Sequence, residues 1–419
     1  MAKESPRVQN PFFIKPIIPN QYFCDREEET KSIVSKLLNG KNVVLTAERR
    51  IGKSSLLRHI LDQPQITRNY NTLYVDLFGT KSPAEFIGEV KLSFQSKQNS
   101  TFPAKFAGGI DEITKEYTGK GGLDLKVFSL EASARKTEII RNEDTLESIF
   151  RKLATTSKRN IIVFDEFQKI EQYRENITEA LRAKIQMLEN TQFIFSGSSV
   201  HLLPSMFLRQ NQPFYNSSDL VGLKRIPEDT YQDFCKRMFN LYDKDIENEA
   251  TSFAYRLLRA NLLNLQQLLN ETFLLTQKGE TASEDTVKNA LLHCLDERNE
   301  IYENLCSRNK DNIQRLINCI AIEGVASSLT STEIMRRYNL GASSTIDRHL
   351  KELSSEDNGM LTPVGKDGFS LGDRFLELWI VQKFELLDKR IEGAGELYEK
   401  ELQLKSKASD IKRLTPKLQ

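Results

Sequence analysis

The chain has 419 residues, of which 39% are hydrophobic and 28% are charged, and its formal net charge is +1. This length exceeds what one hydrophobic core usually serves, so two or three domains are expected. A net charge near zero excludes a strong overall field that would favour nucleic acid or a membrane surface. The start of the chain carries no apolar signal segment, and its five cysteines are scattered. We therefore expect a cytoplasmic protein with reduced thiols and no membrane partner.

The first part of the chain leads into a short buried strand. Residues 1–20 are rich in proline and are predicted to be extended. An amphipathic helix is predicted from about Tyr22, with an apolar stripe that includes Ile33 and Leu37. The apolar run from Val43 to Leu45 then predicts the first strand.

The turn after this strand has the layout of a phosphate-binding loop. Gly52-Lys53-Ser54 opens a helix, and the pattern G-x-x-x-x-G-K-S/T is met except that Ala47 replaces its first glycine. Backbone N–H groups of such a turn converge on phosphates, and the helix N-terminus adds partial positive charge. Lys53 is predicted to reach the β- and γ-phosphates of a nucleoside triphosphate, and Ser54 to bind Mg²⁺. The predicted loop consists of Ala47, Glu48, Arg49, Arg50, Ile51, Gly52, Lys53, Ser54 and Ser55.

Strands and helices alternate along the following residues. A second strand is predicted over Thr72 to Leu77, and helices over Pro83 to Phe94 and Leu146 to Leu153. Residues 100–140 are irregular and contain two Gly-Gly pairs, so they are predicted to form either a hairpin or a mobile flap. The alternation predicts an α/β fold with a parallel sheet and helices on both of its faces.

A pair of acidic residues follows the next predicted strand. Ile161 to Phe164 form an unbroken apolar run that ends in Asp165 and Glu166. Such a run is typical of a parallel strand buried on both faces, and ligands bind at the carboxyl ends of these strands. At the tip of a strand neighbouring the phosphate loop, Asp165 is predicted to hold Mg²⁺ and Glu166 to activate the attacking water. The alternative is an ordinary buried strand that ends in solvated acids.

Small hydroxyl residues follow a third strand. Phe193 to Phe195 are apolar, and Ser196 and Ser198 come directly after them. A polar residue at this point can contact the γ-phosphate or the attacking water, so both serines are candidates for catalysis. A plain Gly/Ser turn remains the alternative for each.

The strand pattern ends near residue 227, so the α/β core is assigned to residues 21–227. Residues 228–305 are predicted to be a helical lid. Its predicted helices are Tyr231 to Tyr242, Ile246 to Arg259, Leu262 to Gln277 and Ala282 to Ile301.

The C-terminal third has the pattern of a winged helix-turn-helix. Residues 310–385 read as three short helices followed by two short strands, Leu361 to Val364 and Phe369 to Leu371. Residues 386–419 are predicted to be a helical tail that carries several lysines and is solvated after Leu404.

At this point a family resemblance is visible. The segment YFCDREEETKSIVSKLLNGKNVVLTAERRIGKSSLL resembles the opening of the archaeal-type AAA/STAND ATPases, and the likeness continues through LYVDLFGTKSPAEF, NIIVFDEFQKI, QFIFSGSS and FSLGDRFLELWI. It covers roughly residues 20–385. The resemblance implies a P-loop core of the ASCE class, a helical lid and a winged helix, with ATP and Mg²⁺ as ligands.

The resemblance also implies roles for individual residues. Lys53, Ser54, Asp165 and Glu166 match the family's phosphate, magnesium and catalytic positions. Arg49 and Arg50 would lie near the phosphates. The segment from Tyr22 to Arg26 would lie near the adenine, which makes Phe23 and Arg26 candidate nucleotide contacts.

Two positions depart from the family pattern. Ser217 stands where the family often has an arginine after the third strand, and Arg209 is the candidate substitute. Asn261-Leu262-Leu263 stands where the lid often has Gly-x-Pro. An arginine finger is worth about 10³–10⁵ in rate, so its loss predicts slow hydrolysis, which suits a switch better than a motor.

The winged helix has two possible kinds of partner. Over residues 310–390, eleven basic side chains face twelve acidic ones, whereas DNA-binding modules are usually visibly basic. A protein partner or self-association is therefore favoured over DNA. The resulting hypothesis is a slow, Mg²⁺-dependent ATPase switch of the STAND/AAA type. The alternative is an ATP-binding adaptor or DNA-binding regulator with little or no hydrolysis.

Overall fold

The fold is known from a computed structural model that describes residues 9–15, 17–96, 146–199, 202–355 and 358–414. These residues form two compact units. The first, the sheet unit, contains the described residues within 17–20 and 26–225. The second, the helical unit, contains residues 9–15, 21–25 and 226–414. The insertion predicted over residues 100–140 lies outside the described residues.

The sheet unit is built on a parallel sheet of five strands in the order β2-β3-β4-β1-β5. The strands are β1 (Val43–Ala47), β2 (Tyr70–Asp76), β3 (Arg159–Asp165), β4 (Thr191–Gly197) and β5 (Asp219–Leu223). The predicted parallel α/β core is confirmed. One detail differs, because β4 lies between β1 and β3, so the strand that ends in Asp165 is not the immediate neighbour of the phosphate-loop strand.

The central strands form because their side chains are buried on both faces of the sheet. All five residues of β1 and all seven of β4 are buried. Continuous Val, Ile, Leu and Phe runs of this kind are typical of parallel strands that are covered by helices. The helices of this unit are α1 (Glu27–Leu38), α2 (Lys53–Leu61), α3 (Pro64–Asn69), α4 (Pro83–Ser96), α5 (146–154), α6 (Thr178–Gln186) and α7 (Leu202–Leu208).

The helical unit contains the predicted lid. Its helices are α8 (Glu228–Asn240), α9 (Asn248–Leu257), α10 (Leu262–Leu275), α11 (Glu284–Asp296) and α12 (Asn299–Ser307). The single helix predicted from Ala282 to Ile301 is wrong, because α11 ends at Asp296 and α12 begins at Asn299. The region is also not purely helical, since the short strands β6 (Asp245–Ile246) and β7 (Thr281–Ala282) pair in parallel.

The winged helix follows in the same unit. It consists of α13 (Asp311–Glu323), α14 (Thr332–Tyr338), α15 (Ser343–Leu353), β8 (Leu361–Val364) and β9 (Gly368–Leu371). The two strands pair antiparallel, and Ala326 adds a bridge to Phe369. Three helices and a hairpin confirm the predicted winged helix.

The last helices are α16 (Arg374–Lys383), α17 (Leu387–Glu392) and α18 (Ala394–Leu414). The first half of α18 is partly buried, since Glu401 is only 1% exposed, whereas the solvated tail was predicted only for the residues after Leu404. The wing also contacts this helix. A Cβ added to Gly365 would lie 2.5 Å from the carbonyl oxygen of Leu404. Across the part of the chain that the structure describes, every helix is too short or too polar to cross a membrane.

Candidate functional site

The phosphate-binding loop predicted from the sequence joins β1 to α2. The strand ends at Ala47, and the chain then passes through two residues with positive φ, Arg50 at 65° and Gly52 at 90°. Gly52 is the residue before α2 and tolerates this backbone conformation because it has no Cβ. Lys53 and Ser54 therefore occupy the first turn of α2, where the backbone N–H groups and the helix dipole favour an anion.

Lys53 is the centre of a buried polar cluster. Its ammonium forms an ion pair with Asp165, lies 3.0 Å from Glu166 Oε1 and donates to Ser196 Oγ at 3.1 Å. The side chain of Lys53 is only 7% exposed. The structure thus brings together predicted residues from α2, from the end of β3 and from β4.

The Asp165 carboxylate accepts hydrogen bonds from several directions. Ser196 Oγ donates to Oδ1 at 2.8 Å, and Lys53 shares this oxygen. Ser54 Oγ donates to Oδ2 at 3.0 Å, and the Tyr74 hydroxyl donates to the same oxygen at 2.5 Å. These donors from two strands and one helix fix the orientation of the carboxylate.

Glu166 is held in one position by its backbone and by its neighbours. Its φ of 55° is in the left-handed region, which turns the chain sharply after β3 into the short 3₁₀ helix Phe167–Gln172. Gln168 Nε2 donates to Glu166 Oε2 at 2.6 Å, and Ser198 Oγ donates to the same atom at 2.9 Å. A non-glycine residue in this conformation costs about 1–3 kcal/mol and is often found at functional sites.

The charges of the cluster hold one another in their ionised forms. Burial lowers the pKa of Lys53, but attraction to Asp165 and Glu166 outweighs burial and raises it overall. Burial raises the pKa of each carboxyl, but attraction to Lys53 and the hydrogen bonds to the carboxylates together outweigh burial, so both pKa values lie below normal. Burial, followed by the nearby Asp165, raises the pKa of Tyr74, so its hydroxyl stays a donor.

Arg26 and Phe23, the two other predicted nucleotide contacts, belong to different compact units. Arg26 is buried and has φ 81°, and its guanidinium pairs with Glu29 at 2.8 Å and donates to the carbonyl oxygen of Ile51 at 3.4 Å. Arg26 therefore contacts the phosphate loop itself. Phe23 belongs to the helical unit, where its carbonyl oxygen accepts from Arg237 at 3.3 Å.

The other charged loop residues have different surroundings. Glu48 pairs with Arg225 at 3.2 Å, and the side chains of Arg49 and Arg50 are exposed. Arg209, the candidate substitute finger, follows the end of α7 with an exposed side chain and is not brought into the cluster. Ser55 follows Ser54 in the first turn of α2.

Two residues of the cluster were not found from the sequence. Tyr74 lies on β2, and it reaches Asp165 because β2 pairs directly with β3. Gln168 comes two residues after Glu166 and reaches back to it only because Glu166 has a positive φ. A strand order could have indicated Tyr74, whereas no sequence signal indicates the turn at Glu166.

The oxygen atoms beside the loop are suitable ligands for a hard divalent cation. Ser54 Oγ and Asp165 Oδ2 are 3.0 Å apart, and hydroxyl and carboxylate oxygens are ligands that Mg²⁺ prefers. Within the described residues, no group of three or more His, Cys, Asp or Glu side chains could hold a metal ion by itself. A cation here would need further oxygen ligands, which nucleotide phosphates and water supply in many Mg²⁺ sites.

Comparison with protein families assigns the two halves of the chain. Residues 23–268 match the family described as "ATPase domain predominantly from Archaea", which is more than half of the chain. Residues 300–382 match the family described as "Probable winged helix domain". No curated protein matches the chain.

Solved structures share the fold at low sequence identity. A Walker-type ATPase of Pyrococcus abyssi has 20% identity and a TM-score of 0.57, covering 88% of this chain and 99% of its own. The ORC2 protein of Aeropyrum pernix, in its ADPNP-ADP complexes, has 13% identity and a TM-score of 0.52, covering 91% of this chain and 97% of its own. Together with the family match over residues 23–268, the P-loop sheet and the winged helix lead to one conclusion. The chain belongs to the family of ATPase domains found predominantly in Archaea.

Proposed function

We propose that the protein binds ATP with Mg²⁺ and hydrolyses it slowly, as a switch of the STAND/AAA type. The observation that carries the proposal is the cluster of Lys53, Ser54, Asp165 and Glu166 at the first turn of α2. The ammonium of Lys53 is thereby within hydrogen-bond reach of both carboxylates, and the hydroxyl of Ser54 is within reach of Asp165. The ADPNP-ADP complexes of the Aeropyrum pernix protein give further support for an adenine nucleotide.

Each residue has a separate task in this proposal. Lys53 exchanges its carboxylate partners for the β- and γ-phosphates, and the amides of the first turn of α2 bind the same groups. Ser54 and Asp165 hold Mg²⁺, which when bound neutralises charge on the phosphates. Glu166 accepts a proton from the attacking water, and Ser198 keeps its carboxylate in place.

The proposed rate is slow because the cluster contains no arginine. Ser217 stands where the related sequences often have one, and its hydroxyl donates to the carbonyl oxygen of Phe214 at 2.7 Å. Without an arginine, a factor of about 10³–10⁵ in rate is missing. Slow turnover suits a switch protein, because the ATP-bound state then lasts long enough to change the arrangement of another part of the chain.

The proposed output is a change in the arrangement of the lid and winged helix. Both belong to one compact unit, separate from the sheet unit, so we expect them to respond together. We propose that a protein partner or a second copy of the chain recognises this change in arrangement. The exposed face of α15 supports a protein over DNA because Arg348 and Lys351 alternate there with Asp347 and Glu352.

The decisive experiment compares hydrolysis by the wild type, by Glu166→Gln and by Glu171→Gln. Glu171 is exposed and lies five residues further along the same segment, so its variant is the matched control. We expect Glu166→Gln to reduce steady-state hydrolysis by about 10²–10⁴-fold, the usual contribution of a general base. ATP binding should persist. Hydrogen exchange in residues 226–414 should change with ATP in the wild type.

Two outcomes would contradict parts of the proposal. Equal hydrolysis by the wild type and Glu166→Gln would leave the adaptor or regulator alternative in place of the enzyme. Unchanged hydrogen exchange in residues 226–414 at saturating ATP would contradict the switch.

A further inference from the structure

Tyr74 is a residue of the sheet unit that the predicted site did not include. It lies in β2, two residues before the strand ends at Asp76. Its hydroxyl donates to Asp165 Oδ2 at 2.5 Å. Its ring lies against α2, with the guanidinium carbon of Arg58 4.2 Å from the ring centroid. Tyr74 thus connects the helix of the phosphate loop to the carboxylate at the end of β3.

The register of the sheet explains why a tyrosine reaches this carboxylate. In the parallel pairing of β2 with β3, Tyr74 lies beside Val163 and Asp76 beside Asp165. A side chain two residues before the end must extend along the strand direction to contact Asp165. The phenol is long enough, and its ring is fixed by Arg58, so the hydroxyl reaches the carboxylate in a restrained position.

The donors on the two carboxylate oxygens differ in what nucleotide binding would do to them. Oδ1 accepts from Ser196 Oγ at 2.8 Å and from the backbone N–H of Glu166 at 3.0 Å. Neither donor has to move when Lys53 turns to phosphate. Oδ2 accepts from Ser54 Oγ and from Tyr74. Because Ser54 turns its oxygen to the cation in the proposed function, Tyr74 is the donor that stays on Oδ2.

We propose that Tyr74 is a positioning residue for the cation, which it serves by holding the Oδ2 oxygen of Asp165 towards Ser54. The inference rests on the proposed function and adds a residue to its cation site. Outer-sphere hydrogen bonds to metal-binding side chains orient the ligand, and their loss typically costs about 10–100-fold in metal affinity or activity. Tyr74 itself does not contact the reacting atoms.

The test removes only the hydroxyl. Tyr74→Phe keeps the ring beside Arg58 and deletes the donor to Asp165. Tyr70→Phe is the matched control, since Tyr70 is buried in the same strand but pairs with Arg159 at the opposite end. Binding of a fluorescent ATP analogue is measured as a function of Mg²⁺ concentration and again in EDTA, and thermal unfolding is followed for each variant.

We expect Tyr74→Phe to raise the half-saturating Mg²⁺ concentration by about 10-fold or more. Binding in EDTA should stay within twofold of the wild type, and Tyr70→Phe should behave as the wild type in both measurements. An unchanged Mg²⁺ dependence in a folded Tyr74→Phe variant would overturn the inference and leave the proposed function intact. A wild type that binds no nucleotide at any Mg²⁺ concentration would overturn both.

A double-mutant cycle separates positioning from a general loss of stability. Asp165→Asn changes the group through which Tyr74 is proposed to act. In that background, Tyr74→Phe should shift the half-saturating Mg²⁺ concentration by less than twofold. A full 10-fold shift in the Asp165→Asn background would show that Tyr74 acts by another route and would overturn the inference.

Discussion

Lys53 is a buried cation whose ammonium faces two carboxylates, Asp165 and Glu166. Such an arrangement is stable only while all three groups keep their charges, because an unpaired buried charge costs several kcal/mol. The same arrangement keeps the lysine close to the place where a phosphate would enter. In the proposed function, binding of a triphosphate exchanges one set of anionic oxygens around Lys53 for another.

The first prediction concerns the pH dependence of Lys53→Met. In the wild type, both carboxyls have pKa values below normal, so their stabilising effect is present above about pH 4.5 and is lost as the pH falls through the lowered values. In the variant, burial acts without the lysine and raises both pKa values. The unfolding free energy should therefore be about 3–5 kcal/mol lower at pH 8 and should rise as the pH falls to 5.

Urea unfolding followed by circular dichroism between pH 5 and 8 measures this effect. Lys31→Met is the control, since Lys31 is exposed on α1. It should show the wild-type pH dependence over the same range. The same pH dependence for Lys53→Met as for the wild type would contradict the balance of charges in the cluster.

At the scale of elements, the strands of the sheet were predictable and their order was only implied. Apolar runs such as Ile161 to Phe164 indicate buried strands because a strand covered on both faces has no polar side. The family resemblance implied an ASCE core, but no residue pattern shows that β4 lies between β1 and β3. When two paired strands lie far apart in the sequence, the residues of neither strand indicate which partner it has.

The residues of the candidate site were also predictable only in part. Lys53, Ser54, Asp165 and Glu166 follow from local motifs at strand ends. Tyr74 could not be found, because its role depends on the pairing of β2 with β3 and on the length of its side chain.

Gly197, the last residue of β4, lies at a position where an added side chain would not fit. Gly197 lies against the side chain of Gln168, and an added Cβ would collide with its amide oxygen and lie 3.0 Å from a methyl carbon of Leu203. Gln168 is only 1% exposed and donates to Glu166, so it cannot move without losing this contact. Gly197→Ala should lower the unfolding free energy by about 1–3 kcal/mol, as overpacking of a core does, and should also slow ATP hydrolysis.

Gly222→Ala is the matched control within the same sheet. A Cβ there would meet only Thr46 Oγ, at 3.9 Å, which is an ordinary contact. Stability should be unchanged or higher by less than about 1 kcal/mol. Chemical unfolding and steady-state hydrolysis are measured for both variants, and equal behaviour of the two would contradict the packing argument.

At the scale of the whole molecule, a buried charge network connects the parts of the helical unit. Arg259, two residues after the end of the lid helix α9, pairs with Glu377 and donates to the carbonyl oxygen of Gly324 at 2.8 Å. Arg374 donates to Glu401 Oε2 at 3.0 Å, which ties α16 to α18. Burial lowers the pKa of Arg259 to about 10, so it remains charged at neutral pH. Lid, winged helix and terminal helix thus share one set of charges.

This network gives a physical reason for the lid and the winged helix to stay together. Glu377 also pairs with Arg390, whose guanidinium donates to the carbonyl oxygens of Ala321 and Ile322 at the end of α13. Moving the winged helix away from the lid would separate buried charges from their partners, which costs several kcal/mol per ion. The lid and the winged helix are therefore expected to stay together in the proposed switch.

The last prediction tests this coupling through Glu401→Gln. The substitution keeps the shape of the side chain but leaves Arg259 and Arg374 with one carboxylate fewer, in a region where both glutamates are at most 3% exposed. The unfolding free energy of the helical unit should fall by about 3–5 kcal/mol. Glu399→Gln, two residues earlier on the exposed side of α18, should change it by less than about 0.5 kcal/mol.

The single tryptophan of the chain makes this measurement specific to the helical unit. Trp379 lies in α16, is 6% exposed and donates from Nε1 to Asn299 Oδ1 at 3.0 Å. Its fluorescence during urea unfolding therefore reports the unit that contains the network. Because the charges are buried, 0.5 M salt should not restore the stability of Glu401→Gln. If Glu401→Gln and Glu399→Gln unfold at the same urea concentration, the network does not hold the unit together and the lid and winged helix can move separately.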